Sequence, residues 1–271
     1  MKIFRATFNR TLHRHGLITK EASFKSQPYI RFERERPNEL WQMDFKGHFQ
    51  LAEGRCHPLT VLDDHSRFAI CLNAYDNEKE ISVRKALTDR TYGLPEAMTM
   101  DNGSPWKGAY PWRFSKLTIW LMHLGIKVSH SRPGHPQGKD ERFHRSLKEE
   151  ILKYYQFKDL KHAQQVFDEW RQLYNYERPH EGIGMKRPSD RYTLSTIKFP
   201  EILSQIDYEE HDDIRKVQKN GVIDFKGHSF FIGEHLYGEL IGIRPTTEED
   251  IFNVYYSKSR INKINLQKSI N

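Results

Sequence analysis

Apolar and polar residues alternate with period two along "LWQMDFK" (40 to 46). Trp41, Met43 and Phe45 therefore share one face of a predicted strand, and Leu40, Gln42, Asp44 and Lys46 share the other. "CHPLTVLDDHSRFAICLNAY" (56 to 75) holds two β-rich runs that turn at Asp63, Asp64, His65 and Ser66, which predicts a hairpin. A helix over 77 to 93 stops at Gly93. The strand "AMTM" then runs into the turn cluster "DNGSPW". A helix over 115 to 125, a strand over 126 to 131, the loop "RPGHPQGK" and a helix over 139 to 155 follow. A second long helix over 159 to 176 places Leu160, Ala163, Phe167, Trp170 and Tyr174 on one core-facing stripe.

After polar loops to about 214, the pattern shortens. "VIDF", "HSFFI", "LIGIR", "IFNVYY" and "INKINL" read as five strands punctuated by glycines, a small all-β barrel. The order before them predicts an α/β class: a mixed sheet with helices on both faces. The expected organisation is a basic helix and linker at 1 to 38, a core at 39 to 192, a linker at 193 to 213 and the barrel at 214 to 271.

Composition adds a direction to this plan. The 271 residues carry a formal net charge of +7, and residues 1 to 36 hold nine Lys/Arg against three Glu. Such a basic arm suits a polyanion, most simply nucleic acid, held through Arg10 and Arg14 with an affinity that falls with salt. No apolar run is long enough for a membrane span and no signal peptide is evident, so a cytoplasmic protein is expected. Cys56 and Cys71 lack metal-ligand spacing and read as reduced core residues.

Three acidic positions stand out by context. Asp44 is mid-strand, Asp101 closes a strand at its C-terminal end, and Glu141 lies in the first turn of a helix. At 100° per residue Glu141 shares its face with His144, Arg145 and Lys148, while Phe143, Leu147, Ile151 and Tyr154 form an apolar stripe. Asp140 falls near that stripe and is assigned to the helix N-terminus. Three carboxylates without cysteine suit a hard cation, Mg²⁺ or Mn²⁺. Lys139, Arg142, Arg145 and Lys148 form a strip suited to DNA phosphates. Asp63 and Asp64 read as turn residues, His130 and His135 as loop or phosphate contacts, and Trp106 and Trp112 as packing residues.

"LWQMDFKGHF", "LTVLDDHSRFAI", "YGLPEAMTMDNGSPW", "LGIKVSHSRPGHPQGKDERFHRSLKEEIL" and "YNYERPHEGIGMKRPSDRY" occur in this order. Together they resemble the integrase core of bacterial insertion-sequence transposases. The resemblance implies a ribonuclease H-like fold, with the family's catalytic and metal-binding triad on Asp44, Asp101 and Glu141. It further implies Mg²⁺-dependent cleavage and strand transfer on transposon ends and target DNA by a homo-oligomer, nucleoid-associated when bound. The tail from "IRKVQKNGVIDFKGHSFFIG" onward resembles the small barrel that follows such cores.

Relatives carry a helix-turn-helix region upstream, of which "RATFNRTLHRHGLIT" resembles the last helix, so poor recognition of element ends is expected. They commonly read "HPQTQGK" where this chain has "HPQGK". Two alternatives stand beside the transposase reading: a DNA-binding regulator that does no chemistry, and a ribonuclease H-like nuclease without strand transfer.

Overall fold

The β-branched and aromatic runs form a six-stranded mixed sheet in the computed structural model, which describes residues 33–88, 91–106, 108, 114–131 and 138–268 together with Arg14. Its strands are β1 (Trp41–Phe45), β2 (Phe49–Gln50), β3 (Arg55–Asp63), β4 (Ala69–Tyr75), β5 (Ala97–Met100) and β6 (Lys127–His130). β1 pairs antiparallel with β3 and parallel with β5, and β5 pairs parallel with β6. β4 and the two-residue β2 both pair with β3. The central strand is therefore the one that carries Asp44, opposite Thr60 of β3.

Helices cover both faces, as the pattern predicts. Trp41, Met43 and Phe45 pack with Val83 and Leu87 of α1 (Glu80–Leu87) and Leu117 and Leu121 of α2 (Lys116–His123). Trp106 lies in this core, its ring 5.4 Å from that of Phe45. On the other face, Leu62, Ala69 and Leu72 meet Phe143 and Leu147 of α3 (Gly138–Leu147) and Ala163, Phe167 and Trp170 of α4 (Leu160–Gln172). Caps set two helix starts: Ser115 accepts the Thr118 amide at 3.0 Å and Asp159 accepts that of His162 at 2.8 Å. Cys56 and Cys71 are free and buried.

α3 does not run regularly to 155. A π-helical turn over Lys148–Leu152 follows it, and this change of winding leaves Tyr154 exposed although Phe143, Leu147 and Ile151 are buried.

The C-terminal region has six strands, one more than the pattern predicts. β7 (Asp213–Lys216) was hidden because it is an edge strand with one apolar residue. β7, β10 (Leu240–Pro245), β11 (Ile251–Tyr256) and β12 (Ser259–Asn265) form an antiparallel sheet, and β8 (Val222–Phe225) and β9 (His228–Phe231) form a hairpin. Both line one core, which also takes Ile119 and Met122 from α2. The residues from Arg34 onward thus belong to one compact unit. The stretch between the two sheets is packed as well: Ser195 and Ile197 bond to the backbone of Leu94, and Gly93 (φ +74°) has no room for a Cβ, which would lie 2.5 Å from the Ile197 carbonyl.

Within this region Arg244 holds buried Asp212 with two bonds of 2.8 Å. Hydrogen bonds from that guanidinium keep the Asp212 carboxyl below its ordinary value. A lowered folded value stabilises above the unfolded carboxyl value of about 4, and the contribution is lost as pH falls below it. Arg244→Met therefore lowers the melting temperature at pH 7, and by less at pH 3. Equal losses at both pH values would contradict this.

Candidate active site

The half-buried carboxylate of Asp44 projects from β1 on the face away from Trp41, Met43 and Phe45. Its carboxyl is pushed up to about 7 by burial first and then by the charge of Asp101, with smaller contributions from Glu78 and Glu141. A hydrogen bond to the backbone of Phe45 opposes the rise without cancelling it. A carboxylate crowded in this way is relieved by a proton or a cation.

Asp101 follows β5, the parallel neighbour of β1. Its side chain accepts the Gly103 amide at 2.8 Å and its carbonyl accepts His130 Nδ1 at 2.8 Å. His130 thus supports the turn that presents Asp101. Glu141 is exposed in the first turn of α3, and its charge reaches Asp44. Among the described residues, no three His, Cys, Asp or Glu side chains stand close enough to hold a metal ion. The carboxylates share one electrostatic neighbourhood without forming a ready coordination shell. Their all-oxygen donor chemistry and the raised Asp44 carboxyl fit a hard divalent cation.

α3 differs from its sequence reading at three positions. Asp140 lies in the first turn, as expected, but it is 1% exposed, and neither carboxylate oxygen has a hydrogen-bond partner. Burial and the charges of Asp44 and Asp64 raise its carboxyl well above the ordinary range. Lys139 leaves the expected DNA-facing strip, because its ammonium pairs with buried Asp64. His144 turns inward, Nε2 lying 2.8 Å from Thr60 Oγ1, which donates to the Asp44 carbonyl at 3.0 Å. Burial first, and then the Lys46 charge, pushes its imidazole down to about 4. Neutral His144 then donates through Nε2 to the Thr60 hydroxyl.

Arg142, Arg145 and Lys148 remain exposed, Arg142 within 3.2 Å of exposed Glu181. Arg14 is helical and exposed, while Arg10, Trp112 and His135 lie outside the described residues. Asp63 behaves as a turn residue, accepting from Ser66 and from the Asn38 amide. Asp64 accepts instead from Gln42, Arg34 and Lys139, partners far away in sequence. Only the placement of Gln42 on Asp44's strand face hinted at this group.

Two family models described as integrase core domain match residues 34–136 and 124–188, and the C-terminal domain of the IS481 family transposases matches residues 212–270. An uncharacterized 31.7 kDa protein of insertion element IS407 from Burkholderia multivorans is 29% identical over 171 residues, covering 59% of this chain and 60% of its own. An uncharacterized 39.2 kDa protein of insertion element IS476 from Xanthomonas euvesicatoria is 29% identical over 158 residues, 56% of this chain and 44% of its own. The chain spans about half the length of the curated relatives it matches. Among solved structures, the simian T-cell lymphotropic virus intasome in complex with PP2A regulatory subunit B56 gamma covers 93% of this chain and 94% of its own. Its TM-score of 0.50 at 16% identity speaks to the fold alone. Among the described residues, no helix is long and apolar enough to cross a membrane.

Proposed function

Because this chain belongs to the insertion-sequence transposases that carry an integrase catalytic core, we propose that it cuts DNA and joins DNA strands in a metal-dependent reaction. The observation that carries this reading is Asp44, a carboxylate on the central strand driven up to about 7 by burial and by Asp101. Asp44, Asp101 and Glu141 would hold Mg²⁺ or Mn²⁺. When bound, such an ion lowers the pKa of an attacking water or 3′-hydroxyl and stabilises the leaving oxygen.

The chain's own residues supply placement. Thr60 and His144 hold the Asp44 backbone under α3, His130 holds the Asp101 turn, and Gly103 fixes the Asp101 carboxylate. Exposed Arg142, Arg145 and Lys148 flank Glu141 and would grip phosphates. No side-chain nucleophile enters this scheme, so no covalent protein–DNA link forms. The partners would be transposon ends, target DNA and further copies of the chain.

The test offers the protein a labelled duplex ending in a free 3′-hydroxyl, with a plasmid target. Joined product is expected with Mg²⁺ or Mn²⁺ and not in excess chelator. Product in excess chelator, or none with either ion, would overturn the reading.

A further inference from the structure

Asp64 is fully buried, yet three stretches of chain, at Arg34, at Leu40 to Gln42 and at Lys139, converge on its carboxylate and backbone. Oδ1 accepts from Gln42 Nε2 at 2.7 Å and from the Lys139 ammonium, which also reaches the Asp64 carbonyl at 3.3 Å. Oδ2 accepts the Arg34 amide at 2.9 Å, and the Asp64 amide donates to the Leu40 carbonyl at 2.9 Å. Gln42 is two residues from Asp44 on the same strand face. Lys139 is two residues before Glu141 on α3. Asp64 therefore ties the strand of one proposed ligand to the helix of another.

Stability alone is a poor reason for such a pair. Taking a carboxylate and an ammonium out of water costs several kcal/mol each, and an apolar pair of similar volume often serves a core equally well. What the pair supplies is registration. Any slide or rotation of the first turn of α3 would leave Asp64 buried without its cation, a costly state. Lower on the same helix, His144 on Thr60 provides a second tie to the Asp44 backbone.

We propose that Asp64 is a positioning residue: by clamping Lys139 it fixes the start of α3, and with it Glu141, over the strand that carries Asp44. The proposal rests on the reading of Asp44 and Glu141 as metal ligands, and it gives Lys139 a role other than DNA contact.

The full chain tests it through Mn²⁺ binding and hydrogen exchange, neither of which requires turnover. Lys139→Met and Asp64→Asn each weaken Mn²⁺ binding about tenfold, the scale on which residues behind a metal ligand act. Both also speed amide exchange across residues 138 to 147 while leaving β10 to β12 unchanged. The double variant is no worse than either single one, because both remove the same tie. Lys139→Arg, which keeps the charge, retains most of the Mn²⁺ affinity.

Unchanged affinity and unchanged α3 exchange in both single variants would overturn the proposal, as would effects that simply add. If Asp64→Asn fails to fold, Lys139→Met decides between the same outcomes. A wild-type chain that takes up no Mn²⁺ would instead overturn the reading of the site. Exchange alone then decides the clamp: acceleration in Lys139→Met supports it, and none overturns it.

Discussion

Asp44→Asn abolishes metal-dependent cutting and joining while the chain remains folded, a loss of about a thousandfold or more, equivalent to about 4 kcal/mol of activation energy. The amide keeps the shape of the carboxylate and removes the charge a cation would neutralise. The contact to Thr60 uses the Asp44 carbonyl and survives the change. Stability is held or improved, because the variant also removes the repulsion that raises this carboxyl. Asp63→Asn is the informative contrast. Asp63 accepts the Asn38 amide and both the amide and hydroxyl of Ser66, so its loss lowers the melting temperature, and activity falls only with the folded fraction. Joining assays on a free 3′-end, run beside thermal melts, check both. A fully active Asp44→Asn chain would contradict the assignment.

Asp140→Val stabilises the protein by about 1 to 3 kcal/mol, the scale set by an unsatisfied buried polar group. Both Asp140 oxygens are buried without a partner, and burial together with Asp44 and Asp64 disfavours its charge. Losing an acidic residue from the first turn of α3 costs about 0.3 to 1 kcal/mol, so the gain in solvation wins. The urea midpoint should rise with an unchanged slope. A lower midpoint would show that Asp140 has a stabilising partner.

Periodicity reveals much of this architecture. Trp41, Met43 and Phe45 alternate into the core, and Ala163, Phe167, Trp170 and Tyr174 recur at helical spacing and are buried. What escapes it is set by contacts between distant residues. Lys139 looks like a member of a solvated strip, and only folding brings it to Asp64. Asp140 sits beside the apolar stripe on a helical projection and reads as a residue of the helix N-terminus, but in the fold it is buried. Tyr154 leaves its predicted stripe because one π-helical turn changes the winding. β7 carries too little apolar pattern to announce itself.

The contexts of Asp44, Asp101 and Glu141 were legible, mid-strand, strand end and first helical turn. The joint role proposed for them rests on the resemblance, since no local pattern links them. Asp44→Cys tests that role most directly. A thiolate is a softer ligand than a carboxylate and binds Mg²⁺ poorly, whereas Mn²⁺ tolerates it better. If Asp44 ligates the ion, the folded Asp44→Cys chain joins DNA poorly in Mg²⁺ and recovers a measurable part of wild-type activity in Mn²⁺. Joining at the wild-type rate in Mg²⁺, or a ratio of Mn²⁺ to Mg²⁺ activity identical to wild type, would contradict the account.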